Sequence, residues 1–368
     1  MENNLNFSAL LRNMLSRLSE REQDVLRQRY QLSPELKQIA TLKEIGDNYQ
    51  ITRERVRQIE RESVKKLVAM RGHADFAAAL KELEFALSQY IERGGGLVRQ
   101  DELLNSFIQP NYNWSDLHPN AYFFAMEHLF DSVEKIEDHK QFYTLWKLTD
   151  LKLEHVTDLI SKVENELRTK NTLFSESEII DLAKNNLSAE LKTSFGDYLN
   201  AHTDLNHEKL LIAYLNAASS VEKNILNQWG LSEWQKIRPK KLADKIMLVF
   251  EKETKPLHFR DIAEKINQAG FDRKSICPAT VHNELIANTD YVLIGRGIYA
   301  LKNWGYTTGT VEEIIERILG NVGKAMTKEE IIQEVLKQRQ VNRSTVYLTL
   351  INKDQFERDN EGKYYLVK

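Results

Sequence analysis

The segment from Arg53 to Arg61 carries the side chains of this sequence that are best suited to recognition chemistry. It holds Arg53, Glu54, Arg57, Gln58 and Arg61 within nine residues. Arginine can donate two hydrogen bonds to guanine, glutamine can pair with adenine in the same way, and glutamate can accept a hydrogen bond from cytosine. Arginines that do not reach a base can neutralise phosphates. The residue types therefore suit a surface that reads double-stranded DNA, although a solvated helix with Glu–Arg pairs would have a similar composition.

Helical periodicity separates these side chains from a second group. If the segment is a helix, each residue turns by about 100° around the axis. Val56, Ile59, Ser63 and Leu67 then lie between roughly 240° and 320° from Arg53, whereas the charged and amide side chains lie between about 0° and 140°. The pattern predicts one face that packs against the protein and an opposite face that points into solvent.

The elements that would hold this helix are also marked in the sequence. Ser19 and Glu22 form a capping-box pattern, which predicts a helix that extends to about residue 30. Thr41 and Glu44 repeat the pattern at the start of a short helix. A tight turn at residues 50–51 follows, and Thr52 can cap the next helix. A short helix, a tight turn and a second helix with a basic outer face predict a helix-turn-helix, which places its second helix in the major groove.

Two quoted segments give this prediction a family likeness. TLKEIGDNYQITRERVRQIERESVKKL resembles region 4.2 of bacterial primary sigma factors, and LSEREQDVLRQRY resembles the region 4.1 helix. The resemblance covers about residues 15–70. It implies that Arg53, Glu54, Arg57 and Gln58 read bases and backbone in a promoter −35 element. The further candidate DNA contacts are Thr41, Thr52 and Arg61, of which Thr41 and Arg61 match phosphate neighbours in the family.

The same resemblance implies a protein partner, because region 4 of sigma factors also binds the flap of the RNA polymerase beta subunit. The chain departs from the family in one respect. Sigma factors carry an aromatic-rich promoter-melting region before region 4, and only about 15 residues precede the match here. We therefore expect that the chain is not a complete sigma factor of the ordinary kind.

Charge is distributed unevenly along the 368 residues, although the net charge is only −3. Residues 1–70 contain 13 Lys and Arg against 10 Asp and Glu, residues 71–238 contain 17 against 26, and residues 239–368 contain 21 against 18. A polyanion would be attracted to the two ends and repelled by the middle segment. This distribution predicts more than one binding role.

Other functional classes find little support in the sequence. There is one cysteine, Cys277, no Cys and His spacing typical of zinc sites, and no phosphate-binding glycine motif. We expect no cofactor, no metal ion and no enzymatic activity. The sequence shows no leader peptide and no apolar run near the ~18 residues of a membrane span. We therefore expect a cytoplasmic, nucleoid-associated protein, and a monomer because no long heptad pattern is present.

The rest of the chain repeats a common pattern of helices that ends in an aromatic strand pair. The predicted domains are a helix-turn-helix at 1–72 and four repeat units at 73–149, 150–236, 237–305 and 306–368, the second being divergent. Three helices followed by a hairpin predict a winged helix in each unit. The expected fold class is therefore mainly α, with a sigma region 4 helix-turn-helix followed by a tandem array of winged helices.

The third repeat unit resembles a second family. PLHFRDIAEKI, TVHNELI and YVLIGRGIYALKNWGY are similar to the HARE-HTH domain, a winged helix shared by the delta subunit of RNA polymerase and by chromatin and restriction proteins. Secondary DNA or protein contacts are predicted in the third and fourth units. The candidates are His282, Asn283, Arg296 and Arg343, with Arg339 and Thr345 beside them. The sparse charge favours protein contact over DNA contact.

Three hypotheses about function remain open at this point. The first is a sequence-specific transcription factor that reads a −35-like element and contacts RNA polymerase. The second is a delta-like accessory subunit of RNA polymerase whose sigma-like segment binds the beta flap with little DNA specificity. The third, suggested only by the wider HARE-HTH family, is a scaffold or a sensor of DNA modification.

Overall fold

The computed structural model describes residues 7–111, 117–202, 205–272 and 274–367. These residues are mainly helical with small antiparallel sheets, which confirms the predicted fold class at that level. They form two compact units. The N-terminal unit comprises Met1–Glu222 and Trp229–Ser232, and the C-terminal unit comprises Lys223–Gln228 and Glu233–Lys368.

The N-terminal unit begins with the predicted helix-turn-helix and continues through two further groups of helices. Its helices are α1 Phe7–Ser16, α2 Glu20–Tyr30, α3 Leu42–Tyr49, α4 Arg53–Met70, α5 Ala74–Arg93, α6 Gln100–Leu103, α7 Gln109–Asn111, α8 Asn120–His128, α9 Leu153–Lys170, α10 Glu176–Asn185, α11 Ala189–Ala201 and α12 His207–Ala217. A π-helical turn, Leu104–Ile108, joins α6 to α7. The strands are β1 Leu97–Arg99, β2 Val133–Ile136, β3 Leu145–Leu148, β4 Val221–Lys223, which ends in the C-terminal unit, and β5 Trp229–Leu231. They form a three-stranded sheet in the order β1-β3-β2 and a β4-β5 pair.

Both capping boxes predicted near the N-terminus are present. Ser19 caps α2 and pairs reciprocally with Glu22. Thr41 caps α3 and pairs with Glu44 in the same way. Each box satisfies backbone N–H groups that a helix start leaves without partners, so the sequence defines where both helices begin.

Two hydrophobic cores pack against α4, one along its N-terminal half and the other along its C-terminal half. A small core of Val25, Ile45, Val56 and Ile59 holds α2, α3 and α4 together. A much larger core includes Leu67 of α4 and extends from α1 to β3. It contains the aromatic side chains Tyr122, Phe123, Phe124 and Phe130. The C-terminal half of α4 is therefore packed by residues outside the helix-turn-helix.

The C-terminal unit contains two successive groups of three helices. The first consists of α13 Leu242–Glu253, α14 Phe259–Ala269 and α15 Pro278–Ala287, with a sheet in the order β6-β8-β7 made from β6 Leu257–His258, β7 Tyr291–Gly295 and β8 Ile298–Leu301. The second consists of α16 Val311–Val322, α17 Lys328–Gln338 and α18 Arg343–Asn352, with the hairpin of β9 Phe356–Arg358 and β10 Tyr364–Leu366. The two hairpins turn at residues 296–297 and 359–363.

The two groups are joined by specific contacts. The Gln340 backbone N–H donates to the Ile294 carbonyl at 2.9 Å, and the Thr307 hydroxyl donates to the Gln338 side-chain oxygen at 2.8 Å. Gly295 lies so close to this connection that a Cβ there would stand 2.9 Å from the Gln340 carbonyl oxygen. The end of β7 is thus covered by the loop between α17 and α18.

Three helices followed by a hairpin in each group agree with the predicted order of elements, and the winged-helix assignment stays a prediction. The finer domain boundaries also stay predictions, and residues 1–6, 112–116, 203–204, 273 and 368 of these domains lie outside the described residues. In the part of the chain that the structure describes, no helix combines the length and apolar character needed to cross a bilayer.

Candidate DNA-binding surface

The turn between α3 and α4 is closed by backbone bonds. Gln50 adopts a left-handed conformation with φ of 54°, and the Ile51 N–H donates to the Gly46 carbonyl at 3.0 Å. A Cβ on Gly46 would stand only 2.7 Å from the Ile51 carbonyl oxygen, closer than real contacts allow. Glycine at position 46 therefore permits the close approach that sets the direction of α4.

The first turn of α4 is capped as predicted. The Thr52 hydroxyl oxygen accepts a hydrogen bond from the Arg55 backbone N–H at 3.2 Å. Other N–H groups at a helix start have no partner in the helix and carry partial positive charge, which favours nearby anions. The exposed start of α4 is therefore suited to a phosphate.

The predicted division of α4 into two faces is confirmed. Val56, Ile59, Ser63 and Leu67 are all buried. The Ser63 hydroxyl donates to the Ile59 carbonyl at 2.6 Å, so the polar group on the buried face has a partner. The opposite face holds the five predicted α4 candidates, all of them exposed: Arg53, Glu54, Arg57, Gln58 and Arg61. Their roles in DNA binding stay predictions.

Two of the candidates are paired with each other. Arg57 donates from Nε to Glu54 Oε2 at 3.0 Å and from Nη2 to Glu54 Oε1 at 2.6 Å. The hydrogen bond from Arg57 lowers the pKa of the Glu54 carboxyl group. Because both side chains are exposed, the ion pair is weak and orients the guanidinium without fixing it. Two of the five guanidinium donors are engaged, so a guanine contact would require the pair to open or to share these donors.

Sequence reasoning did not include Arg55 among the candidates. Arg55 is exposed, and its Nη1 donates to the Gln58 side-chain oxygen at 3.1 Å. This bond uses one of the two lone pairs of the Gln58 amide oxygen, and bidentate pairing with adenine would use the other together with the amide N–H. The spacing of three residues along a helix was the available signal, because such residues are surface neighbours.

The sequence also did not predict the contacts that pack α3 and α4 against α2. Lys66 of α4 pairs with Glu22 of α2 at 2.6 Å. The Tyr49 hydroxyl of α3 donates to Asp24 at 2.5 Å, and this bond raises the pKa of Tyr49 to about 12. The Arg21 guanidinium lies over the Tyr49 ring, 4.9 Å from its centroid. These side chains hold α3 and α4 against α2.

The candidate residues of the C-terminal unit have varied surroundings. His282 is half-buried, and its ring centroid lies 4.6 Å from that of Phe259 and 5.9 Å from that of Tyr299. Asn283, Arg296 and Arg343 are exposed. His282 therefore packs partly inside its own module, and the other three side chains are accessible.

Two more residues named beside these candidates differ from each other in burial. Thr345 is exposed. Arg339 is half-buried, and burial lowers the pKa of its guanidinium group. Within the described ranges, no three His, Cys, Asp or Glu side chains are grouped so that they could hold a metal ion.

Comparison with known proteins finds a similarity over the segment that includes this surface. The family model described as Sigma-70, region 4 matches residues 14–68. Over 72 residues the chain is 51% identical to the RNA polymerase sigma factor SigA of Microcystis aeruginosa and 51% identical to that of Synechocystis sp.. It is 44% identical over 72 residues to SigA of Nostoc sp..

The matched segment is a small part of each protein. It covers 20% of this chain and 16% of the Microcystis and Synechocystis proteins, and 17% of the Nostoc protein. The similarity to region 4 predicted from the sequence is confirmed over these residues. The HARE-HTH resemblance of the third repeat unit stays a prediction.

Proposed function

We propose that the chain is a DNA-binding transcription factor that inserts α4 into the major groove of a promoter, at a −35-like element, and contacts core RNA polymerase. The observation that carries this proposal is the exposed polar face of α4 within a segment similar to sigma-70 region 4. Two cores and the contacts with α2 hold the helix while this face stays accessible.

The side chains on the exposed polar face of α4 would have different roles in DNA recognition. Arg53, Glu54, Arg57 and Gln58 meet base edges, since their donors and acceptors match those exposed in the major groove. Arg61, one turn further along the helix, neutralises a phosphate. Thr52 accepts a capping bond and still has a hydroxyl proton to donate to a phosphate oxygen. Thr41 also accepts a capping bond, and its hydroxyl would turn from the Glu44 carboxylate to a phosphate oxygen.

The polymerase contact is proposed from the similarity to sigma factors. In those proteins region 4 binds the flap of the beta subunit, and the helix-turn-helix of this chain would do the same. The modules after residue 72 would be winged helices, the third of the HARE-HTH type, that extend the contact with polymerase. We propose a cytoplasmic, nucleoid-associated monomer that acts without a cofactor or an enzymatic step.

Sequence-specific DNA binding can be tested by selecting the fragments that the full chain binds from a pool of random duplex DNA. The full chain should enrich one short motif at a stated salt concentration, because phosphate contacts make affinity depend on salt. Arg57→Ala should weaken binding to the selected motif by about 1–3 kcal/mol and relax the preference at one base position. Arg93→Ala removes the same charge from an exposed position at the end of α5 and should leave the motif unchanged.

Two results would contradict this proposal. Failure of the full chain to enrich any motif would remove sequence-specific reading. A loss of affinity in Arg57→Ala that is equal for all DNA sequences would make Arg57 a phosphate contact rather than a base reader.

A second candidate function is supported by the charge of the middle segment of the chain. Residues 71–238 have 17 Lys and Arg against 26 Asp and Glu, and they would be repelled by DNA but attracted to basic protein surfaces. On this alternative the chain is a delta-like accessory subunit of polymerase, and its sigma-like segment binds the flap with little DNA specificity. Binding to core polymerase without DNA, combined with no enriched motif, would favour it.

A further inference from the structure

The third helix of the last module, α18, exposes an apolar face. The exposed fractions are 37% for Tyr347, 54% for Leu348 and 52% for Ile351. Tyr347 and Ile351 are four residues apart, and Leu348 and Ile351 are three apart, so Ile351 is the neighbour of both on the helix surface. The buried side of the same helix is formed by Val346 and Leu350. These three exposed side chains are called the α18 face below.

Three cations lie beside the α18 face, and two of them are close to a carboxylate. The helix contains no acidic residue, and Arg343 lies one turn before Tyr347 with no ion-pair partner among the residues described. The Lys328 ammonium lies 4.3 Å from the centroid of the Tyr347 ring and 3.8 Å from Glu329. Lys353, just after the helix, is already paired with Glu312 at 2.6 Å. Arg343 is therefore the cation available to a partner.

The preceding module shows that this surface is not a general property of the fold. Helices α15 and α18 align without a gap, with Val281 matching Val346 and Leu285 matching Leu350 on the buried side. On the exposed side, His282 and Asn283 of α15 stand where α18 has Tyr347 and Leu348. Isoleucine occupies the next matching position in both, as exposed Ile286 and Ile351. One isolated apolar residue in α15 is thus replaced by a continuous apolar face in α18.

DNA is a poor ligand for the α18 face. Base reading requires donors and acceptors that match base edges, and Leu348 and Ile351 have neither. A second copy of the chain is also a poor ligand. A two-fold pair of α18 faces would bring two Arg343 cations into one interface without a carboxylate on either helix.

We propose that the α18 face binds an acidic amphipathic helix of another protein. Apolar side chains at spacings of three and four residues would cover Leu348 and Ile351, and flanking carboxylates would meet Arg343. This inference rests on the proposed protein-contact role of the C-terminal unit, and it does not depend on DNA binding by α4.

A pair of designed peptides tests the proposal with the full chain. The acidic probe is a fluorescein-labelled helix of about 20 residues, long enough to form in solution, with leucine at heptad a and d positions and glutamate on the flanks. The second probe has lysine in place of every glutamate. Fluorescence anisotropy should show saturable binding of the acidic probe and much weaker binding of the lysine probe.

Substitutions then locate the contact. Leu348→Asp and Ile351→Asp should each weaken binding of the acidic probe about tenfold or more, since they place a carboxylate in the apolar contact. Arg343→Glu should weaken the acidic probe and strengthen the lysine probe. Ile286→Asp makes the same change at the matching position of α15 and should have no effect. Circular dichroism checks that each variant keeps its helices.

Several outcomes would overturn the proposal. These are absence of saturable binding, equal binding of both probes, or unchanged binding by Leu348→Asp. Dimerisation in sedimentation equilibrium that Leu348→Asp abolishes would assign the face to a second copy. Loss of DNA affinity in the same variant would assign it to nucleic acid. Arg57→Ala should not change peptide binding, so failure of DNA reading and failure of this proposal are distinguishable.

Discussion

Helices α4 and α18 are each the last of three successive helices, yet their solvent faces differ in kind. The α4 face carries Arg57 and Glu54 in an ion pair, whereas the α18 face carries Tyr347, Leu348 and Ile351. Both helices bury a valine in the first turns, Val56 in one and Val346 in the other. The comparison indicates that the buried side of such a helix determines how it packs against the protein, while the exposed side determines the chemistry of its ligand.

The helices also differ in how their first turns are held. The side chain of Thr52 caps α4, but the side chain of Asn342, at the same position before α18, makes no capping bond. The ion pair between Lys66 and Glu22 of α2 reinforces the position of α4, which suits the proposed presentation of several side chains to DNA. The following experiments test this contrast.

The largest effect is expected for a charge placed on the buried side of α4. Val56→Asp should destabilise the helix-turn-helix by more than about 4 kcal/mol, because Val56 is fully buried and the carboxylate would have no partner. Hydrogen exchange of the amides of α3 and α4 measures the loss locally. Leu348→Asp, the same type of change on the exposed side of α18, should change stability by only about 0.5 kcal/mol. Unchanged protection of α4 in Val56→Asp would contradict the proposed seating.

A smaller effect is expected at the two helix starts. Thr52→Ala should cost about 1 kcal/mol, since it removes the acceptor for the Arg55 N–H, and Thr52→Ser should restore most of that stability. Asn342→Ala should cost less than about 0.5 kcal/mol, because no capping bond is lost. Denaturant unfolding of each variant measures the difference. Equal losses of stability in Thr52→Ala and Asn342→Ala would show that the Thr52 capping bond does not stabilise its helix.

Arg61 and Arg343 provide a matched test of phosphate contact. If Arg61 neutralises one phosphate, Arg61→Ala should weaken binding to all duplexes alike and reduce the slope of log affinity against log salt by about 0.9. Arg343→Ala should leave this slope unchanged, because we propose a protein partner and not DNA for the α18 face. DNA titrations at several salt concentrations measure both slopes. A change in base preference in Arg61→Ala would instead indicate base contact.

The smallest effect concerns the Glu54–Arg57 pair. The hydrogen bond from Arg57 lowers the pKa of Glu54. The stabilisation that this hydrogen bond provides is therefore present above the ordinary pKa of a glutamate, and it is lost as the pH falls through the lowered pKa of Glu54. In Arg57→Ala the pKa of Glu54 should rise toward the ordinary value, as measured by NMR titration of the side-chain carboxyl carbon. The α18 helix has no carboxylate and supplies no such titration. An unchanged Glu54 pKa would show that the pair does not persist in solution.

Local chemistry made much of the N-terminal region predictable. The capping patterns at Ser19 and Thr41 marked two helix starts, and the spacing of Val56, Ile59 and Leu67 separated the buried side of α4 from its exposed side. These features depend on residues that are close in the sequence, so their physical cause can be recognised without a fold.

Contacts between distant residues were less accessible to prediction. Nothing local indicated that Leu67 would pack into a core extending to β3, or that Asp24 would accept from the Tyr49 hydroxyl. The exposed character of the α18 face was also missed, since an apolar side chain at helical spacing can equally belong to a core.

By itself, the sequence determined which residues begin α2, α3 and α4, which side of α4 is polar, and that about residues 15–70 resemble region 4 of sigma factors, which the family model matches over residues 14–68. Only the tertiary structure decided that the C-terminal half of α4 shares a core with α1 and α5, and that Tyr347, Leu348 and Ile351 stay in solvent. Caps and periodicity act between neighbours in the chain, whereas burial depends on which distant segments cover a surface.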